Sequence, residues 1–232
     1  MVKYNGLSTL EVLEWAHNYN KWIAECFLPN IESPVIEIGA GIGNITSYFL
    51  PKKQLVVSDS DSALTEYLQK KFIDKNNVKV IRVDIEDNPQ KKLLNYFSTV
   101  IGINVLEHIE DDIKVLKNAR LILKKGGRLM LFVPAKKFAY TRLDKELGHF
   151  RRYEKREIIE KLSKSGYAVE KIYYFNIVGL LSWFIRDKIS KSYHLRPYQI
   201  SIFNSIVPVL KRVENIYRPP IGISLVVHAR KI

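Results

Sequence analysis

The stretch Val35-Ile-Glu-Ile-Gly-Ala-Gly-Ile-Gly-Asn-Ile-Thr-Ser-Tyr-Phe49 constrains this chain more than any other. A short apolar strand reaches Glu37, breaks into Gly39, Gly41 and Gly43, and passes at once into a helix-compatible segment. Strand, glycine turn and helix in that order build a backbone that a ligand can approach closely. The glycines alone leave a dinucleotide-binding turn open as a competitor, so the segments that follow have to separate the readings.

Gln54-Leu-Val-Val-Ser58 is apolar and β-branched enough for a buried second strand, and it ends at Asp59, with Asp61 two residues on and the helix-like run Ala63–Phe72 behind it. An acid at the tip of the second strand of a βαβ unit can accept both hydroxyls of a ribose. The alternative is that Asp59 or Asp61 caps the helix. A third strand, Val78–Val83, ends at Asp84, an acid placed for an adenine amino group, with the backbone of Ile85 beside it for a ring nitrogen. A fourth strand, Thr99–Ile103, runs into Asn104-Val-Leu-Glu-His-Ile109. A fifth, Gly127–Val133, follows Lys124-Lys-Gly-Gly127 and stops at Pro134. Between them Asp111–Leu123 has helical apolar spacing at Ile113, Leu116, Leu121 and Leu123.

These pieces together resemble a class I S-adenosylmethionine-dependent methyltransferase. The matching elements are Glu37-Ile-Gly-Ala-Gly-Ile-Gly43, Asp59, Asp84, Asn104-Val-Leu-Glu-His108 and Lys125-Gly-Gly127, in order over residues 35–134. The chain is most similar to the small bacterial and archaeal enzymes related to quinone-biosynthesis and to sugar or natural-product methyltransferases. The glycine spacing is G-x-G-x-G, whereas dehydrogenases more often carry G-x-G-x-x-G. The resemblance implies an α/β fold: a Rossmann-like, seven-stranded, mostly parallel sheet with a reversed last strand and helices on both faces. It implies S-adenosyl-L-methionine as cofactor, with S-adenosyl-L-homocysteine as product. Gly39, Ala40, Gly41 and Gly43 would pack on the methionine part, and Glu37 would support the turn or the cofactor amine. Asp59 and Ser60 would hold ribose, while Asp84, Ile85 and Asn104 complete the nucleoside pocket. In-line attack on a sulfonium needs no metal, and the sequence reading assigns none.

At 232 residues and 47% apolar content the chain is long and apolar enough for one well-filled α/β domain rather than a disordered segment. Cys26 is the single cysteine, which excludes an intramolecular disulfide and a cysteine-clustered zinc site. The polar N-terminus and the lack of a long uncharged apolar run lead to the expectation of a cytoplasmic protein. The net charge of +13 fits a lysine-rich solvated surface, or else an anionic partner. The excess gathers after the cofactor half: residues 136–165 hold ten Lys/Arg against five Asp/Glu, and residues 186–218 hold seven against two.

Residues 1–33 are expected as an N-terminal helical cover, with one or two amphipathic helices over Ser8–Leu28 capped by Ser8 or Thr9. Residues 34–176 and 221–232 form the cofactor-binding core, and 177–220 a helical insertion between strands six (Tyr167–Phe175) and seven (Ile223–Arg230). The loop 134–153 should lie beside the transferred methyl. His149 and His108 are rival general bases, and Tyr140, Arg151 and Arg152 are acceptor-binding candidates. Against those roles, His149 and the arginines would brace the loop on Glu107, Asp144 or Glu146, and Glu107 would tie down a loop by hydrogen bonding. In the insertion, Gly179–Ile185 flanked by Arg186, Lys188 and Lys191 suits a lid, a homodimer face or a peripheral membrane contact. The functional expectation is O-methylation of a small acceptor: a sugar, a lipid-linked or a quinone-like compound, with an anionic acceptor accommodated by the basic excess. The alternatives are an RNA-modifying methyltransferase and a non-catalytic cofactor-binding partner protein.

Overall fold

A computed structural model describes residues 7–50, 54–189 and 197–232, without the side chains of residue 8 and of 184–189. The expectations for Ser8 as a cap and for Phe184, Ile185, Arg186, Lys188 and Lys191 on an apolar-basic face therefore lie outside the described residues.

Two helices lead, α1 (Leu7–Glu14) and α2 (His17–Glu25), followed by β1 (Val35–Ile38). Thr9 lies inside the first turn of α1 rather than at its cap, because the helix already begins at Leu7. After β1 come α3 (Thr46–Phe49), β2 (Leu55–Asp59), α4 (Ser62–Lys71), β3 (Val78–Arg82), β4 (Phe97–Ile103), α5 (Asp112–Ile122) and β5 (Leu123–Pro134). The second half holds α6 (Arg142–Glu146), α7 (Lys155–Lys164), β6 (Tyr167–Phe175), α8 (Ile177–Ile189), α9 (Pro197–Ile216) and β7 (Ser224–Lys231).

The seven strands form one sheet in the order β3-β2-β1-β4-β5-β7-β6. The first five pair in parallel, and β7 inserts antiparallel between β5 and β6. This is the expected seven-stranded sheet with its last strand reversed. β5 starts at Leu123, four residues before the expected start, because Leu123 pairs with Phe97 across an irregularity that absorbs the Lys124-Lys-Gly-Gly segment.

Successive residues of β1 enter opposite cores. Ile36 packs with Leu116, Ile122, Ile158 and Leu162, on the face covered by α5 and α7. Val35 packs with Trp22, Phe27, Leu68 and Phe175, on the face of α2 and α4. A strand buried on both sides needs apolar residues at both parities, and Val35-Ile36-Glu37-Ile38 supplies them everywhere but at Glu37. The strand order reverses at β1, with β2 on one side and β4 on the other, so their carboxyl ends open a crevice there.

The insertion closes over that crevice. Asn204 on α9 accepts hydrogen bonds from the Asn18 and Tyr19 amides through Oδ1 (2.8 and 3.2 Å). Lys211 pairs with Glu25. Glu214 accepts from the Asn176 and Ile177 amides, both at 2.9 Å, which caps the start of α8 with an acid from α9. Thus α2, α8 and α9 are tied into one cover. Among the described residues no helix is long and apolar enough to cross a membrane.

Candidate active site

The crevice is a cavity of about 1660 Å³. One wall comes from the glycine turn. Gly39 and Gly41 both have positive φ (+65° and +59°), and a Cβ on Gly39 would sit 2.6 Å from a Val105 methyl, so neither conformation nor space admits a side chain there. The turn is pinned to the next strand, as the Gly41 amide donates to Asp59 Oδ2 at 2.9 Å. Asp59 Oδ1 takes the Asp61 amide at 3.0 Å, while Asp61 itself caps α4 by accepting from Ala63 and Leu64. Of the two acids it is Asp61 that caps the helix, and both Asp59 and Asp61 line the cavity.

Glu37 is buried beneath the turn and accepts a 2.7 Å hydrogen bond from Thr46 Oγ1. Burial pushes its carboxyl up to about 7; the Thr46 bond opposes the shift and the nearby Asp59 adds to it. Burial likewise raises Asp59. Asp84 is exposed at the mouth, with Oδ1 accepting from the Glu86 amide at 2.9 Å. Ile85 is buried and its carbonyl accepts from Asn118, at 2.7 Å. Asn104 takes a positive φ of 52°, which turns the chain from β4 into the wall.

The opposite wall is the loop after β5. Its centre is Asp144, fully buried, which closes a capping box with Thr141 at the start of α6. The same carboxylate takes Arg152 Nε at 2.9 Å and Nη2 at 3.1 Å, and it meets His149 Nδ1 at 2.9 Å. Burial alone would raise Asp144; His149 and Arg152 outweigh it and hold the carboxyl below its ordinary value. Arg152 also lies over the Trp183 ring of α8, 5.0 Å from its centroid. His108 and His149 meet edge to face with centroids 4.6 Å apart. Burial lowers His108 to about 4, and His149 pushes the same way.

Of the expected site residues, Glu37, Gly39, Ala40, Gly41, Asp59, Ser60, Asp84, Ile85, Asn104, His108, His149 and Arg152 all line this cavity. Gly43, Tyr140 and Arg151 do not. Gly43 packs on Leu68 and Phe72 of the α4 segment instead. Arg151 is drawn outward by an ion pair to Asp112 at 2.9 Å and a bond to the Glu110 carbonyl. Tyr140 donates to the His149 carbonyl at 2.6 Å, and so holds the loop. Arg152 reaches the wall with its guanidinium already engaged by Asp144, which is the bracing alternative. Glu107 does tie down the loop by hydrogen bonding, through its main chain. Its backbone carbonyl ties the loop by accepting from the Phe150 amide at 2.8 Å, whereas neither side-chain oxygen has a hydrogen-bond partner among the described residues.

Residues 36–129 match a family model described as a methyltransferase domain. The chain carries a class I S-adenosylmethionine-dependent methyltransferase domain.

The chain is 26% identical over 135 residues to the lovastatin diketide synthase lovF of Aspergillus terreus, a match covering 53% of this chain and 5% of that protein. It is 28% identical over 116 residues to the highly reducing polyketide synthase AN6791 of Emericella nidulans, covering 44% and 4%. The chain thus spans only about 5% of the length of such curated relatives. Among solved structures, an S-adenosylmethionine-dependent methyltransferase from Thermotoga maritima superposes with a TM-score of 0.64 at 17% identity, over 98% of this chain and 97% of that one. The [4+2]-cyclase SpnF superposes with a TM-score of 0.62 at 13% identity, over 93% and 80%. Likeness at this level carries the fold and not the reaction, as the cyclase illustrates.

A domain of this family implies S-adenosylmethionine as cofactor, and the residues present fit it. The turn at 39–41 offers close backbone approach. Each Asp59 oxygen receives one amide and keeps a lone pair for a further donor. The lining also includes Trp183, which falls in the apolar run expected as a lid, and Asn20 and Asn176, which the sequence did not single out. For Asn20 a signal existed: an amide on the apolar face of α2, which the fold buries and bonds to the Leu13 carbonyl at 2.8 Å. No local pattern marks Asn176.

Proposed function

We propose that this methyltransferase transfers a methyl group to a hydroxyl oxygen of a small, largely apolar acceptor, of quinone-like or lipid-linked sugar type. S-adenosylmethionine supplies a methyl group on a positively charged sulfur. Asp59 and Ser60 hold its ribose, Asp84 and the Ile85 backbone meet its adenine, and Glu37 with the turn at 39–41 holds the methionine end. The arrangement fixes one reactant against the wall so that alignment does most of the work, which can be worth about 7–11 kcal/mol in favourable cases.

The single observation that carries the choice of oxygen is the His108–His149 pair. Two imidazoles sit together in the wall, with His149 Nδ1 anchored by a buried carboxylate. They are the groups placed to engage the proton of an acceptor hydroxyl, an effect of about 10²–10⁴ in rate for a general base. The apolar side chains that α8 and α9 add to the cavity, Trp183, Ile200, Phe203 and Ile206, support an acceptor with an apolar body.

The test uses purified full-length protein and S-adenosylmethionine labelled in the methyl group, offered to phenolic quinone precursors and polyprenyl-linked sugars. Transfer of label to an acceptor oxygen, identified by NMR of the product, is the expected result. Label found on nitrogen or carbon overturns the choice of oxygen, and no measurable binding of the cofactor or its demethylated product by calorimetry overturns the reading altogether.

A further inference from the structure

We propose that Glu107, His108 and His149 form a site for one divalent transition-metal ion at the acceptor end of the cavity. The inference deepens the proposed function, on which it rests for the acceptor's position, but its binding test stands apart from methyl transfer.

One ligand atom from each of the three residues lies within 4.8 Å of the other two. Bonds of about 2.0–2.2 Å around a zinc-class ion place ligand atoms about 3–4 Å apart, so the cluster is open by only about 1 Å. Proximity alone would be weak support. The independent observation is Glu107, which is 0% exposed with neither carboxylate oxygen hydrogen-bonded among the described residues. A buried carboxylate without a partner is costly, and buried charges are as a rule paired or bound to metals.

The surroundings are those of a supported ligand set. His149 Nδ1 meets the Asp144 carboxylate at 2.9 Å, and Asp144 is itself fixed by Thr141 and Arg152. A histidine that donates one ring nitrogen to a buried carboxylate presents the other to an ion, the usual carboxylate–histidine–metal relation. His108 is oriented in the same manner by hydrogen bonds to the backbone of Leu147 and Gly148. Both histidines line the cavity and Glu107 does not, so the carboxylate would hold the ion from behind and the open coordination positions would face the acceptor. Two imidazoles and one carboxylate suit the zinc class of ions rather than magnesium or calcium, which take oxygen ligands. At an open position the ion would take the acceptor hydroxyl and lower its pKa, so the histidine pair would act on the acceptor proton through the ion they hold, with the proton leaving to solvent.

The experiment strips the full chain with a chelator and titrates it with Zn²⁺ by calorimetry and with Co²⁺ by visible absorption. One ion per chain is expected, with a rise in melting temperature on adding Zn²⁺. Glu107→Gln keeps the side chain's shape and removes a buried charge. It should fold, yet bind Zn²⁺ at least about tenfold more weakly and lose the thermal shift. Asp144→Asn should weaken binding by about 10–100-fold, the range for such supporting partners. Wild-type protein that takes up no Zn²⁺, or Glu107→Gln and His149→Ala variants that bind it as wild type does, would overturn the site. Cofactor titration of the same stripped samples separates the two claims. Cofactor binding without zinc binding removes the metal site alone, and absent cofactor binding removes the methyltransfer reading whatever zinc does.

Discussion

The two walls of the cavity solve opposite problems. On the β1–β2 side the polar groups are held by backbone and keep capacity to spare: each Asp59 oxygen accepts one amide, and the glycine turn presents bare main chain. On the loop side the polar groups are spent on one another. Asp144 takes Thr141, His149 and Arg152, and Asp112 takes Tyr153, Lys161 and Arg151. The first wall is built to receive a ligand of fixed chemistry. The second is a rigid frame whose histidine pair still lines the cavity, with His149 held by Asp144, and beside which neither Glu107 side-chain oxygen has a hydrogen-bond partner among the described residues. Under the proposed function the same kind of residue means different things on the two sides, since an acid beside the glycine turn is a binding group and an acid in the loop is a strut.

Cutting the strut should have the largest effect. Arg152→Ala leaves the buried Asp144 carboxylate without its bidentate partner, and breaking a buried pair on one side costs about 3–5 kcal/mol. Urea denaturation should show that loss, and Arg152→Lys should recover only part of it, since an ammonium cannot make the paired contact. A loss below about 1 kcal/mol would mean that the loop is held elsewhere and would erase the contrast between the walls.

Asp59→Ala tests the other wall and should act on binding before stability. Hydrogen bonds to a charged group are worth about 1.5–3 kcal/mol, so calorimetry should record roughly a ten- to hundredfold loss of cofactor affinity. Arg151→Ala, at a residue turned away from the cavity, should leave cofactor affinity within about twofold, because variants outside the site change little there. If the two variants weakened the cofactor equally, the division of labour between the walls would be wrong.

The receiving wall was the legible one in the sequence. Its signals are local: a strand ends, an acid or a glycine follows, and short continuous apolar runs mark the buried strands; elsewhere in the sheet the expected strand six matches β6 and the expected strand seven starts one residue before β7. The framing wall depends on partners far apart in sequence. Arg151 and Arg152 are adjacent and chemically alike, yet one pairs with Asp112 and the other with Asp144, a choice made by the twist of the backbone after β5. One clue was there to read. Thr141-Arg-Leu-Asp144 has the spacing of a capping box, which would have marked Asp144 as a structural acid. For Glu107 the sequence points to a hydrogen-bonding loop tie, and only the packed fold shows that the main chain makes that bond while neither side-chain oxygen has a partner among the described residues.

The test most specific to the receiving wall concerns Glu37. Its carboxyl ionises near 7 in the folded protein and near 4.5 when unfolded, so between those values the native state holds more protons than the unfolded state. Stability attributable to this group is therefore present in full below about pH 4.5 and declines as pH rises through about 7, with a slope no steeper than about 1.4 kcal/mol per pH unit. Glu37→Gln should remove that slope, measured as the difference in urea midpoint between wild type and variant from pH 5 to pH 8. Cofactor should act on the same group. An amine docking on Glu37 favours the carboxylate, so binding near pH 7 should release a proton, seen as a binding enthalpy that changes with the ionisation enthalpy of the buffer in wild type and not in Glu37→Gln. A buffer-independent enthalpy in wild type would detach Glu37 from the cofactor and leave it as a support for the turn through Thr46, which would make this one residue of the receiving wall a strut like those opposite.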